Sequence, residues 1–161
     1  MGTRSRIGVM HGDKCKSVYC HWDGYLSHNG KILQEHYDSA KANHLVALGN
    51  LSTLGKEIGE KHAFSQFELT DPAEIEAHKK LTETQCTFYT RDRGETAPYK
   101  FFADVKTALD YYDGSWCEYF YLFRYDADQQ AGKWYFKKGA KGPWKRLATA
   151  LKAKVTDEEF A

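Results

Sequence analysis

At 161 residues, with 42% hydrophobic and 15% aromatic content, the chain is long enough to bury a sizeable core as one domain, residues 1–161. A formal net charge of +1 removes any general electrostatic reason for nucleic-acid or membrane binding. No apolar run approaches the roughly 20 residues that span a bilayer. No apolar segment follows the N-terminal arginines, so a secretory leader is not expected and the expected compartment is a cytoplasm.

The segment from Thr3 to Met10 alternates like a strand, breaks at His11-Gly12-Asp13-Lys14 and resumes from Ser17 to Trp22, the pattern of a β-hairpin. Alternation puts Ile7 and Val9 on a core-facing side and Arg4 and Arg6 on the other, their Cα atoms about 7 Å apart. Ser27 to Gly30 reads as a loop. Lys31 to Ala40 carries an apolar stripe at helical spacing, and Asp38-Ser39 can interrupt or re-cap it before a second helix, Ala40 to Leu48, that stops at Gly49-Asn50. Leu51 to Gly55 reads as a compact turn with both leucines inward. Lys56 to Thr70 holds a short strand and a loop at most.

Asp71-Pro72-Ala73-Glu74 combines an N-cap residue, proline at the first helical position and an acid three residues on, so it opens a mostly exposed helix to about Leu81. Thr87 to Thr90 reads as a strand leading into an Arg91-Asp92-Arg93-Gly94-Glu95 loop, which supplies a second arginine pair. Phe101 to Tyr112 has helical spacing. Trp116 to Tyr125 is the plainest strand, aromatic on both faces and therefore covered on both sides or left with one face for a partner. It pairs with Gly132 to Lys137 across the 126–131 loop. Trp144 to Lys154 forms a short helix, and Thr156 to Ala161 an acidic, frayed end. The expected fold is α+β: a single domain with a mainly antiparallel sheet, an N-terminal hairpin and several short helices.

Cys15, Cys20, Cys86 and Cys117 match no zinc spacing and no C-x-x-C pair, and the scattered histidines form no metalloenzyme motif, so neither a metal nor any other cofactor is expected. The arginines of the first strand have no acid within their own strand, which leaves donors suited to phosphate, carboxylate or an acidic partner. A solvated face with local ion pairs is the alternative. The stretch Tyr19 to Tyr25 gathers polar-tipped aromatics, His21 and Asp23. It reads either as a tryptophan anchoring the hairpin, with Asp23-Gly24 as turn chemistry, or as a recognition surface. The candidate binding residues are Arg4, Arg6, His21, Trp22, Asp23, Tyr25, Arg91 and Arg93. No nucleophile stands beside His21 and Asp23, so no catalytic residue is assigned. The aromatic strand 119–125 is read as core rather than as a base-stacking platform.

The motifs G-T-R-S-R-I (Gly2–Ile7), Y-C-H-W-D-G-Y (Tyr19–Tyr25), G-K-x-L-x-E-x-Y (Gly30–Tyr37) and L-x-x-L-G (Leu51–Gly55) resemble an uncharacterised group of small tailed-bacteriophage proteins. The Arg91–Glu95 segment and the C-terminal aromatic strands share the likeness. The resemblance implies phage origin and the cytoplasm of an infected bacterium, and carries over no catalytic residue. The expected function is that of a non-enzymatic host-takeover or anti-defence protein. It would block a host or defence-system protein, or capture an anionic nucleotide signal, through the arginine and aromatic surface. A nucleic-acid partner ranks behind both. The rival is a small enzyme acting on nucleotides or nucleic acid with His21 and Asp23.

Overall fold

The computed structural model describes residues 3–113, 116–125, 132–139 and 142–152. Among the described residues one mixed sheet of eight strands is accompanied by six short α-helices. Strands β1 (Ser5–His11) and β2 (Lys14–Cys20) form the expected hairpin. A two-residue turn, Gly12-Asp13, joins them, and Gly12 sits at φ +60°, a conformation that glycine adopts without a Cβ clash. The second strand starts at Lys14, three residues earlier than the sequence suggests, because a tight turn keeps the ladder going up to the loop.

The remaining strands are β3 (Leu51–Thr53), β4 (Thr87–Phe88), β5 (Lys100–Phe102), β6 (Tyr119–Tyr125), β7 (Gly132–Lys138) and β8 (Lys145–Arg146). Their order is β4-β3-β2-β1-β6-β7-β8, with β5 also on β2. Five ladders are antiparallel and two, β1–β6 and β2–β3, are parallel among the described residues. The sheet is therefore mainly antiparallel, as expected, with a parallel seam at its centre.

That seam is buried on both faces. Ile7, Val9, Tyr119, Tyr121 and Phe123 join the larger core. This core is roofed by α1 (Lys31–His36), α2 (Ser39–Ala47) and α6 (Leu147–Lys152). Phe120 and Leu122 on the other face meet Cys15, Phe102 and α5 (Val105–Asp113), with Ala108 and Tyr112 inward. The doubly aromatic strand is thus core on both sides. Gly8 lies between Phe120, Leu122 and Cys15, each of which would be only 3.1–3.2 Å from an added Cβ, so its missing side chain lets the second core close over the sheet.

Helix starts follow the cap chemistry. Asp38 accepts from the Lys41 amide and begins α2, and Asp71 accepts from the Ala73 amide and begins α3 (Pro72–Thr82), which has no buried residue. Five expected spans change. Leu51–Thr53 is strand rather than turn, drawn into the sheet beside Cys20. Phe101 and Phe102 belong to β5, and the helix begins only after Asp104, whose carboxylate takes the Thr107 amide at 2.7 Å. Residues 26–30 form a wide helical turn closed by the Gly30 amide on the Tyr25 carbonyl. The Arg91–Glu95 loop is instead a short helix, α4 (Tyr89–Arg93), ended by Gly94 at φ +76°. The C-terminal helix begins at Leu147 because Lys145–Arg146 pair with β7. The 126–131 loop and the 156–161 end lie outside the described residues. Among the described residues no helix is long and apolar enough to cross a membrane.

Candidate functional site

Alternation places Arg4, Arg6, Tyr19 and His21 on the sheet face that carries the smaller core, and Arg6 pairs in register with Tyr19. α5 crosses that face and covers Arg6, which is only 3% exposed. Its Nε and Nη2 donate to the Ser17 hydroxyl at 3.1 and 2.9 Å, Nη2 also donates to the Ser17 carbonyl, and the guanidinium lies 4.9 Å from the Tyr111 ring centre. Arg6 is thus not part of an exposed arginine face. The sequence reading fails here because burial of a strand face depends on a helix formed far along the chain.

The second arginine pair divides in the same way. Every N–H of Arg91 is engaged: two donate to its neighbour Asp92 at 2.9 and 3.1 Å, and the rest go to the Ile58, Gly59 and Cys86 carbonyls at 2.9–3.0 Å. Asp92, with no exposed side-chain surface, also accepts the Phe88 and His62 amides. Arg91 is therefore scaffold, a correction to its reading as a binding residue, because the helical turn folds its own acid back onto it. Arg93 stays at the surface in a 2.6 Å pair with Glu95, over the rings of Phe64 and Tyr89.

A run of neighbouring side chains links the outer arginines. Arg4 has no carboxylate partner among the described residues. It lies within electrostatic reach of Tyr19 and His21, Tyr19 is in turn near Tyr89, and Tyr89 is near Arg93. Burial pushes the Tyr19 phenol up to about 12 against the pull of Arg4, so the hydroxyl keeps its proton at pH 7. It sits 2.6 Å from His21 Nδ1. Burial, and then Arg4, lower the His21 imidazolium below its usual range and favour the neutral ring. In the tautomer protonated at Nε2, Tyr19 donates to Nδ1 and Nε2–H remains as an outward donor.

Trp22 stands edge-on to His21 at 4.6 Å. The Trp22 amide donates to the Ser52 carbonyl and its carbonyl accepts from Asn29, so the backbone is pinned while the indole stays 41% exposed. The turn anchors Trp22 through its backbone, and its side chain remains exposed.

Asp23 and Tyr25 do not join this surface. Asp23 takes φ +57° in the turn, and its carbonyl accepts the Asn29 amide. His21 pairs with Tyr19, and no His21–Asp23 hydrogen bond forms among the described residues. Tyr25 caps the wide helical turn and packs against the larger core, on the other layer. Lys100, Tyr111 and Tyr89 escape the sequence reading because Tyr111 and Lys100 meet only once Phe101–Phe102 becomes a strand. For Tyr89 the strand run 87–90 held the one available signal.

The thiols carry no evident chemistry. Burial pushes Cys15 and Cys20 up to about 12 and raises Cys86, which also faces the Tyr37 hydroxyl and the Gly55 amide. A thiol-reactive dye at pH 8 is expected to label partly exposed Cys117 first in the native protein, and Cys15, Cys20 and Cys86 only after unfolding. Rapid native labelling of Cys20 would contradict its inertness. Among the described residues no group of three or more His, Cys, Asp or Glu side chains is placed to hold a metal ion.

The fold and surface thus define an α+β protein with a mixed eight-stranded sheet and a cationic-aromatic ridge along one face. Comparison with family models, curated proteins and solved structures finds no match to this chain. The first two sequence motifs are neighbours in space: Ser5 pairs with Cys20, Arg6 with Tyr19, and the Gly24 amide donates to the Thr3 carbonyl.

Proposed function

We propose that this chain is a non-enzymatic binding protein that seats a macromolecular partner on the ridge formed by Arg4, His21, Trp22 and Arg93. The observation that carries the reading is that Arg4, without a carboxylate partner among the described residues, acts on His21, against whose ring stands the backbone-pinned, 41%-exposed Trp22. Tryptophan and arginine supply most of the energy at protein interfaces, and a ring held from below loses little entropy on binding. The motif likeness to tailed-phage proteins supports a host or defence-system protein as the partner, and host takeover or anti-defence as the outcome.

Affinity capture from bacterial lysate with wild type and with the Arg4→Ala/Trp22→Ala/Arg93→Ala variant tests the proposal. The variant is expected to keep its melting temperature within a few degrees and to lose the specifically captured partner. Trp22→Ala alone is expected to weaken binding about tenfold or more. Equal capture by wild type and triple variant would exclude the ridge.

A further inference from the structure

Arg6 is an unusual buried group. A buried charge is costly unless it is paired and hydrogen-bonded. All its hydrogen bonds go to one neutral residue, Ser17, through Nε and Nη2. No carboxylate among the described residues reaches it. The adjacent Cys15 thiol, held protonated by burial, supplies no counter-charge. Nη1, with two N–H donors, has no protein acceptor. Among the described residues no side-chain nitrogen or oxygen is both sealed from water and unpartnered.

A second cation packs on the same aromatic ring. Lys100 pairs in register with Ser17, and its ammonium lies 5.0 Å from the ring centre of Tyr111, the ring that Arg6 approaches to 4.9 Å. Lys100 is exposed and Tyr111 is 40% exposed, so the cluster opens outward along the edge of α5. It combines a fixed guanidinium with two unpartnered donors, an exposed ammonium and a phenol edge. Planar donors beside a point charge match the tetrahedral oxygens of a phosphate group.

We propose that Arg6, Lys100 and Tyr111 form a receptor for a phosphate group, free or as a small phosphate monoester, in which Arg6 Nη1 donates to the anion and Lys100 closes over it. The inference accepts the chain as a binder, but uses none of the ridge residues altered in the capture experiment, so each can fail while the other stands. It also accounts for a buried cation that the fold itself leaves uncompensated.

Calorimetric titration at low salt and pH 7.5 tests it, with inorganic phosphate, adenosine monophosphate and adenosine as probes. Saturable binding of phosphate or the monophosphate, with none of adenosine, is expected. Tighter binding of the monophosphate would identify a nucleotide-like monoester as the better ligand, and equal binding the free anion, each within the proposal. Lys100→Gln, an exposed change, is expected to weaken binding about tenfold, as loss of one charge-assisted hydrogen bond implies. Arg6→Met, similar in length but uncharged, is expected to abolish binding while the melting temperature holds or rises. The proposal is overturned by the absence of saturable heat with both anions up to about 10 mM, by adenosine binding as well as its monophosphate, or by unchanged affinity in Lys100→Gln. An Arg6→Met protein that melts far lower or fails to fold would show that the cation serves the scaffold, and would overturn it as well.

Discussion

Replacing Asp92 by alanine is expected to destabilise the fold by about 3–5 kcal/mol, the range for removing one partner of a buried ion pair. The carboxylate accepts from two backbone amides and from Arg91, and none of its side chain is exposed. Its removal strands a guanidinium that is 14% exposed and leaves the Phe88 and His62 amides without their acceptor. At roughly 2–4 °C per kcal/mol for a chain of this size, the melting temperature falls by about 10 °C. Arg93→Ala, two positions away from Arg91, is expected to cost under about 1 kcal/mol, because its pair with Glu95 is nearly half exposed on both sides and screened by water. Urea denaturation of the two variants side by side checks the contrast. Similar losses for both would mean that Asp92 does not clamp the loop carrying Ile58, Gly59 and His62 to the α4 turn.

The second large effect is expected at Phe120. Its ring is fully buried, edge-on to Tyr112 at 5.2 Å and to Trp144 at 5.8 Å, and lies over the space left open by Gly8. Phe120→Ala leaves a cavity between the sheet and α5 that rigid neighbours fill only in part, at a cost of about 3–5 kcal/mol. Because Phe120 pairs in register with Arg6, loosening α5 also exposes the guanidinium. Phe101→Ala is the internal comparison. That ring is 54% exposed on the edge strand β5 and is expected to cost under about 1 kcal/mol. Thermal melts of the pair, with hydrogen exchange at the Arg6 and Gly8 amides, separate a loosened second core from general unfolding. If Phe120→Ala melts no lower than Phe101→Ala, the smaller core adds little to stability.

The candidate surface was half legible. Strand alternation put Arg4 and Arg6 on one face, and the structure keeps them there, yet only Arg4 lies on the open ridge. By sequence the Arg-Asp-Arg triplet is a second arginine pair in a loop. Asp92 instead turns back onto Arg91, and the surrounding carbonyls come from residues 58, 59 and 86. The outer member of each pair is linked to the other only through Tyr19 and Tyr89, and no local pattern announces that Tyr89 lies near Tyr19. The misread span at Phe101–Phe102 hid the cluster of Lys100 and Tyr111 for a related reason. Its apolar spacing suits a helix, but pairing with Cys15 and Lys16 overrides local preference.

Local chemistry was enough for the hairpin and its glycine turn, the aspartate caps of α2 and α3, the doubly apolar central strand and the α+β class, since each depends on residues a few positions apart. Only the tertiary structure decided which charges meet water. A strand sets the side a residue points to, but whether that side is covered depends on distant elements such as α5 over Arg6. Desolvation and ion pairing are consequences of that covering, and they separate the buried Arg6 and the fully hydrogen-bonded Arg91 from Arg4, which lacks a carboxylate partner among the described residues, and from the exposed Arg93.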